Sequence, residues 1–83
     1  MSPKTPRGVS GKALIKGLAL LGYQPVRQRG SHARLRTEQS GEHFVTIPIH
    51  DSIPVGTLNS ILREVADHFQ ISKEELLQRL FPV

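Results

Sequence analysis

The chain has 83 residues, no cysteine and a formal net charge of +4. This length allows a single domain. The lack of cysteine excludes a disulfide scaffold, a Cys-ligated zinc site and a thiol nucleophile. No apolar run approaches the roughly 20 residues that span a bilayer, so we expect a soluble cytoplasmic protein with no membrane association. The excess of positive charge favours an anionic partner.

The positive charge is concentrated in the first part of the chain. Residues 1–37 contain eight Lys and Arg and no acidic residue, whereas residues 38–83 contain three basic and seven acidic side chains. The two parts therefore carry net charges of +8 and −4. This separation predicts one surface that binds nucleic acid and another surface with a different role.

Local signals predict an arm and a first helix. Residues 1–9 hold two prolines, a glycine and no apolar periodicity, which indicates a basic disordered arm in front of a single domain over residues 10–83. Residues 10–21 predict a helix, because Ser10 is a favourable N-cap and Gly22 a favourable C-terminal cap. The apolar side of this helix is formed by Leu14, Ile15, Leu18 and Leu21.

Three short strands are predicted next, at about residues 25–28, 31–37 and 42–49. The turns between them can join only antiparallel neighbours, so the strands form a meander. A second helix follows from Pro54, and Ser72 begins a third helix with the capping-box pattern Ser-Lys-Glu-Glu. The order α-β-β-β-α-α predicts an α+β fold in which helices cover one face of a three-stranded antiparallel sheet.

Because side chains alternate across a strand, the residues on the open face of the sheet can be predicted. In the second strand the side chains of residues 33, 35 and 37 face the helices, which leaves His32, Arg34 and Arg36 on the open face. The first strand and its turn add Arg27 and Arg29 nearby. The same rule places four residues of the third strand on the open face, namely Phe44, Thr46, Pro48 and His50.

His32 is the candidate catalytic residue on this face. An imidazole is the side chain suited to proton transfer near neutral pH, and several cations are expected near this one. RNA supplies its own nucleophile, the 2′-hydroxyl beside each phosphate. A histidine and cations that bind phosphate therefore suffice for cleavage, and no metal or cofactor is required. The predicted nucleic-acid-binding residues are Arg27, Arg29, Ser31, Arg34, Arg36, Lys12 and Lys16, with supporting roles for Gly30 and His50.

The residues alone leave other interpretations open. An exposed histidine on a basic sheet can be an ordinary surface residue, and the basic part can bind RNA without cleaving it or dock an acidic protein. Phe44 either stacks on a base or packs against another segment. His43 is expected to be structural, and His68 to be a half-exposed helix residue. Four histidines without cysteine and without H-x-x-x-H spacing argue against a zinc site.

Four collinear segments resemble one known family. Residues 26–32, VRQRGSH, closely resemble the R-Q-x-G-S-H signature of the HicA family of mRNA interferase toxins. Residues 11–16, GKALIK, resemble the opening helix of that family, and residues 46–50, TIPIH, resemble its third strand. Residues 56–63 resemble the start of its second helix. The resemblance covers about residues 10–80.

The resemblance implies a fold similar to a double-stranded-RNA-binding domain and an RNase that cleaves mRNA and inhibits translation and growth. It implies that His32 is the catalytic residue, as general base or general acid, and that a cognate HicB-type antitoxin covers the site. The chain departs from the family in two places. Residues 33–35 are less bulky than usual after the histidine, and residues 66–72 are longer than the usual turn, which puts the docking of the antitoxin in doubt.

Overall fold

The computed structural model describes residues 5–81, which form three α-helices and one antiparallel sheet. The helices are α1 (Gly11–Leu18), α2 (Val55–Phe69) and α3 (Lys73–Leu80), and a turn of 3₁₀-helix (Ala19–Leu21) extends α1. The strands are β1 (Gln24–Arg29), β2 (His32–Thr37) and β3 (His43–Pro48). This order confirms the predicted α+β fold and its α-β-β-β-α-α arrangement.

The ends of α1 follow from its capping residues. The Ser10 hydroxyl accepts a hydrogen bond from the backbone N–H of Ala13 at 3.0 Å. At the other end the helix narrows to a 3₁₀ turn, in which the N–H of Gly22 donates to the carbonyl of Ala19 at 3.1 Å. Gly22 has a φ of +84°, a conformation that glycine adopts without steric cost. The predicted helix over residues 10–21 is therefore divided into an α-helical and a 3₁₀ part.

The sheet is an antiparallel meander in the order β1-β2-β3. The β2–β3 register runs from His32 opposite Pro48 to Thr37 opposite His43. Strand ends differ by at most one residue from the predicted ranges, as expected for sequence-based boundaries. The inner positions of β2 and β3 are buried, which confirms the alternation assigned to them; they are Ala33, Leu35, Thr37, Val45 and Ile47. Pro48, predicted on the open face, is buried as well, because residues of α2 lie beside this end of β3.

The helices pack on the inner face of the sheet and close the core. Along α2 the buried residues Leu58, Leu62 and Val65 recur at helical spacing. In α3 the Ser72 hydroxyl accepts from the backbone N–H of Glu75 at 3.0 Å. The carboxylate of Glu75 instead accepts from Arg79, so only the serine half of the predicted capping box is made. No helix over residues 5–81 is long and apolar enough to cross a membrane.

The predicted basic arm lies only partly within the described range, since residues 1–4 fall outside it. In the described part the carbonyl of Val9 accepts from the N–H of Ile53 at 2.8 Å, and the Val9 side chain packs against the core. Thr5 and Asn59 share a hydrogen bond, and both accept from the Lys73 ammonium group. These contacts join the segment before α1 to α2 and α3.

Candidate nucleic-acid interface

A β-bulge sets the direction of the arginines in β1. The register between β1 and β2 shifts at Val26, which has no partner opposite it. Beyond this bulge Arg27 lies opposite Arg34, and Arg29 lies opposite His32. One extra residue in a strand reverses the alternation of every residue after it. The bulge therefore puts both β1 arginines on the open face beside His32, whereas a regular strand would turn them inward.

A two-residue turn places His32 at the start of β2. Gly30 has a φ of +55° and nothing within 4 Å of the position of a Cβ atom, so glycine is needed here for backbone conformation and not for space. The carbonyl of the next residue, Ser31, accepts from the N–H of Ile49 at 2.6 Å. This bond holds the turn against the end of β3. The backbone at His32 is therefore held in place, and its side chain is exposed.

Two recesses on the open face share the His32 side chain. The first, which we name the cationic recess, has a volume of about 220 Å³ and is lined by Arg27, Arg29, His32, Arg34 and Thr46. The second, the histidine recess, has a volume of about 370 Å³ and includes both His32 and His50. The end of β3 thus lies beside the start of β2, and the two histidines open into one cavity. Residues of α2 complete this recess, among them Thr57 and Ser60.

A third recess, the aromatic recess, adjoins the other two. It has a volume of about 330 Å³ and is lined by Arg34, Phe44, Val45, Thr46, Ser60, Ile61 and Glu64. Thr46 lines all three recesses, and Arg34 joins the aromatic recess to the cationic one. The open face of the sheet and the adjacent side of α2 therefore form one continuous surface. Cations lie at one end of this surface and an aromatic ring at the other.

The remaining predicted phosphate-binding residues are placed differently. Arg36 donates to Glu38 at 2.6 Å and to Glu42 at 2.7 Å. The bond to Glu42, and then the bond to Glu38, raise the pKa of the Arg36 guanidinium above its usual value. The two carboxylates also offset the positive charge of Arg36. Lys12 and Lys16 are exposed on α1 but line none of the three recesses. The structure brings together Arg27, Arg29, His32, Arg34 and His50, and leaves the other three cations apart.

A second histidine cluster lies at the opposite end of β3. The rings of His43 and His68 stack with centroids 4.5 Å apart, and the Tyr23 hydroxyl lies 2.7 Å from Nδ1 of His43. Nε2 of His68 donates to the carbonyl of Gln39 at 2.9 Å. Partial burial, and then the neighbouring His68, lower the pKa of His43, although Glu64 opposes this shift. The cluster packs the β2–β3 turn against α2, in accord with the structural role predicted for His43.

The α2 residues of the surface were not predicted from the sequence. Thr57, Ser60 and Glu64 share one side of α2, next to its buried stripe. Their spacing of three and four residues was the available signal, but spacing alone does not show which polar side of a helix borders a sheet. Among residues 5–81, no group of three or more His, Asp or Glu side chains is arranged to hold a metal ion.

One comparison with known proteins identifies the family. Residues 11–66 match the family model described as the HicA toxin of bacterial toxin–antitoxin. The chain belongs to the HicA toxin family. The matched range extends from the start of α1 into α2 and includes the whole sheet. Comparisons with curated proteins and with solved structures give no match.

Membership of this family makes the protein a toxin of a toxin–antitoxin system, which implies an antitoxin as its partner. This confirms the family resemblance found in the sequence. The match contains every residue that lines the cationic, histidine and aromatic recesses. The segment after residue 66, which includes α3, lies outside it.

Proposed function

We propose that this HicA-family toxin is a metal-independent endoribonuclease that cleaves mRNA and thereby inhibits translation and growth. The observation that carries the proposal is the place of His32, which lies directly opposite Arg29 and lines both the cationic and the histidine recess. A proton-transfer group thus borders a cavity in which arginine side chains can bind a phosphate. Single-stranded RNA satisfies both requirements, because each phosphate has a 2′-hydroxyl beside it.

In the proposed reaction the 2′-oxygen attacks the adjacent phosphorus and the bond from phosphorus to the 5′-oxygen breaks. A general base removes the 2′-hydroxyl proton and a general acid gives a proton to the leaving 5′-oxygen. The products are a 2′,3′-cyclic phosphate and a 5′-hydroxyl. His32 performs one of these transfers, and His50, in the same recess, is placed to assist with the other. Arg27, Arg29 and Arg34 stabilise the charge that develops on the phosphoryl oxygens.

The same surface also suits the partner that the family implies. We propose that a HicB-type antitoxin binds over the three recesses and blocks access of RNA to His32, and that the system acts in the cytoplasm. The basic side chains of the cationic recess favour an acidic segment of the antitoxin. Toxin activity and antitoxin binding then compete for one surface.

The decisive experiment compares wild-type protein with His32→Ala. Labelled single-stranded mRNA is incubated with each purified protein, and growth is followed after induction of each gene. We expect His32→Ala to lower the cleavage rate about 100-fold or more, the usual contribution of a general acid or base. Because His32 is exposed, the circular dichroism spectrum and melting temperature of the His32→Ala protein should match those of wild type. His32→Ala purified in parallel also controls for contaminating RNases.

Three outcomes would overturn the proposal. Equal cleavage and toxicity by wild type and a folded His32→Ala variant would remove His32 from the reaction. Salt-sensitive RNA binding by wild type with no cleavage product would instead indicate an RNA-binding module. Loss of RNA binding altogether at moderate salt would indicate a domain that docks only an acidic protein.

A further inference from the structure

The aromatic recess contains a carboxylate that phosphate binding does not explain. Among the described residues that line the three recesses, Glu64 alone is acidic. A carboxylate repels the phosphates that the neighbouring arginines attract, so its presence weakens electrostatic attraction of RNA. Glu64 can only accept hydrogen bonds when ionised. A ligand group that binds to Glu64 in this recess would therefore be a hydrogen-bond donor.

The Glu64 carboxylate lies next to the histidine cluster. Its Oε2 lies 3.9 Å from Nε2 of His43, whose Nδ1 lies 2.7 Å from the Tyr23 hydroxyl. Burial, and then the Glu64 charge, raise the pKa of the Tyr23 hydroxyl, so this hydroxyl stays protonated in its hydrogen bond with Nδ1. The Glu64 carboxylate thus has His43 on one side and is exposed to solvent on the other.

An aromatic ring and a guanidinium group that lie against each other line the same recess. Phe44 is 36% exposed, a large value for a phenylalanine on a sheet, and the Arg34 guanidinium carbon lies 4.6 Å from the centroid of its ring. Aromatic rings and guanidinium planes are the surfaces on which proteins stack unpaired RNA bases. The hydroxyl of Ser60 adds a polar group at the α2 side of this recess.

The distance from His32 fits a neighbouring nucleotide of the same RNA strand. His32 lies opposite Pro48, and Phe44 is four residues earlier in β3, or roughly 13 Å at about 3.3 Å per residue. Arg34 and Thr46, opposite each other midway between these two positions, bridge the gap. A strand whose phosphate lies at His32 can therefore place a nearby base against Phe44.

We propose that the aromatic recess is a base-binding subsite, in which a nucleobase stacks against the Arg34–Phe44 pair and donates hydrogen bonds to Glu64. The subsite deepens the proposed function, since it takes the RNA strand whose phosphate lies at His32. Guanine fits best because its N1–H and N2 amino groups lie side by side and match the two oxygens of a carboxylate. Adenine and cytosine offer one amino group each, and uracil offers a single imino N–H, so these bases bind less well.

The test uses His32→Ala protein, so that RNA binding is measured separately from cleavage. The probes are short fluorescent oligouridines of three kinds. The first has no guanine, the second has a single guanine placed at each position in turn, and the third has inosine in place of that guanine. We expect the best guanine probe to bind about tenfold more tightly than oligouridine, the usual size of discrimination by a paired hydrogen bond. Inosine, which lacks the N2 amino group, should fall between them.

The test variant is Glu64→Gln and its matched control is Asp67→Asn, both made in the His32→Ala protein. Both lie on α2 and remove one negative charge, but residue 67 lines none of the three recesses. Glu64→Gln should reduce the ratio of guanine to uridine affinity to near one, while Asp67→Asn leaves the ratio unchanged. Phe44→Leu, which removes the ring and keeps an apolar side chain, should weaken the best guanine probe about fivefold or more.

The outcomes separate this inference from the nuclease proposal. A guanine preference that depends on Glu64 supports the subsite even if wild-type protein cleaves no RNA. An equal change in affinity for every probe with Glu64→Gln and Asp67→Asn would overturn the subsite, because charge alone would then account for the effect. Cleavage by wild type without a base preference in the parent protein would also overturn it, while leaving the role of His32 intact.

Discussion

Replacing Gly11 with alanine tests how the end of β3 is positioned against α1. The N–H of Gly11, at the first position of α1, donates to the carbonyl of His50 at 2.9 Å. A Cβ atom on Gly11 would lie 2.3 Å from the carbonyl oxygen of Pro48 and 2.8 Å from the Cα of Ile49. Both contacts are with backbone, so no side-chain rotation can relieve them. The β3 end that carries the histidine recess must move instead.

The size of the effect follows from these distances. Real Cβ contacts essentially never fall below 3.0 Å, so the Pro48 oxygen must retreat by at least 0.7 Å from its present 2.3 Å. A shift of that size between Gly11 and His50 would stretch their hydrogen bond beyond normal range. Overpacking costs about 1–3 kcal/mol and the lost hydrogen bond about 1 kcal/mol. Alanine has a higher helix propensity than glycine, which offsets up to about 1 kcal/mol of this cost. The net destabilisation is then about 2 kcal/mol.

The assay is urea and thermal unfolding of Gly11→Ala followed by circular dichroism, with Gly56→Ala as the matched control. Gly56 lies in the first turn of α2 with nothing within 4 Å of its Cβ position, so alanine there should stabilise the protein by about 0.5 kcal/mol. We expect Gly11→Ala to lower the melting temperature by roughly 8–16 °C. Equal stability of Gly11→Ala and wild type would refute the close approach of α1 to β3.

Two further predictions concern the charged groups of the sheet. Arg34→Ala should lower kcat/KM for RNA cleavage about tenfold. Arg36→Ala should lower it less than about threefold, because Glu38 and Glu42 already offset the charge of Arg36. A larger loss with Arg36→Ala would contradict the assignment. Because the folded protein lowers the pKa of His43, the unfolded chain binds more protons below about pH 6.5, so stability should fall as the pH drops through that value. Denaturant titrations at several pH values check this. The dependence should weaken in His43→Asn, and an unchanged slope would exclude His43 as its source.

Much of the candidate site follows from local rules that act within a few residues. Alternation along β2, with the apolar Ala33 and Leu35 turned to the core, puts His32 and Arg34 on the open face, and the glycine before Ser31 predicts the turn that exposes His32. The four segments that resemble the HicA family were likewise readable without a structure, and the family match confirms them. Each of these inferences depends on covalent geometry or on short spacings.

Other parts of the site depend on contacts between distant segments. The extra residue Val26, which turns Arg27 and Arg29 outward, becomes visible only in the pairing of β1 with β2. The entry of Glu64 into the aromatic recess depends on how α2 packs beside β3. A sequence pattern shows which side of a helix is polar, but the packing angle decides what that side faces.

The sequence by itself therefore determined the order of elements and the exposure of His32, because these follow from local propensity and strand alternation, and four short motifs in it indicated the family. Only the tertiary structure decided which cations stand beside His32, that Arg36 is held by two carboxylates, and that α2 completes the surface. Register and helix packing are set by the burial of the whole core, to which residues far apart in the chain contribute together.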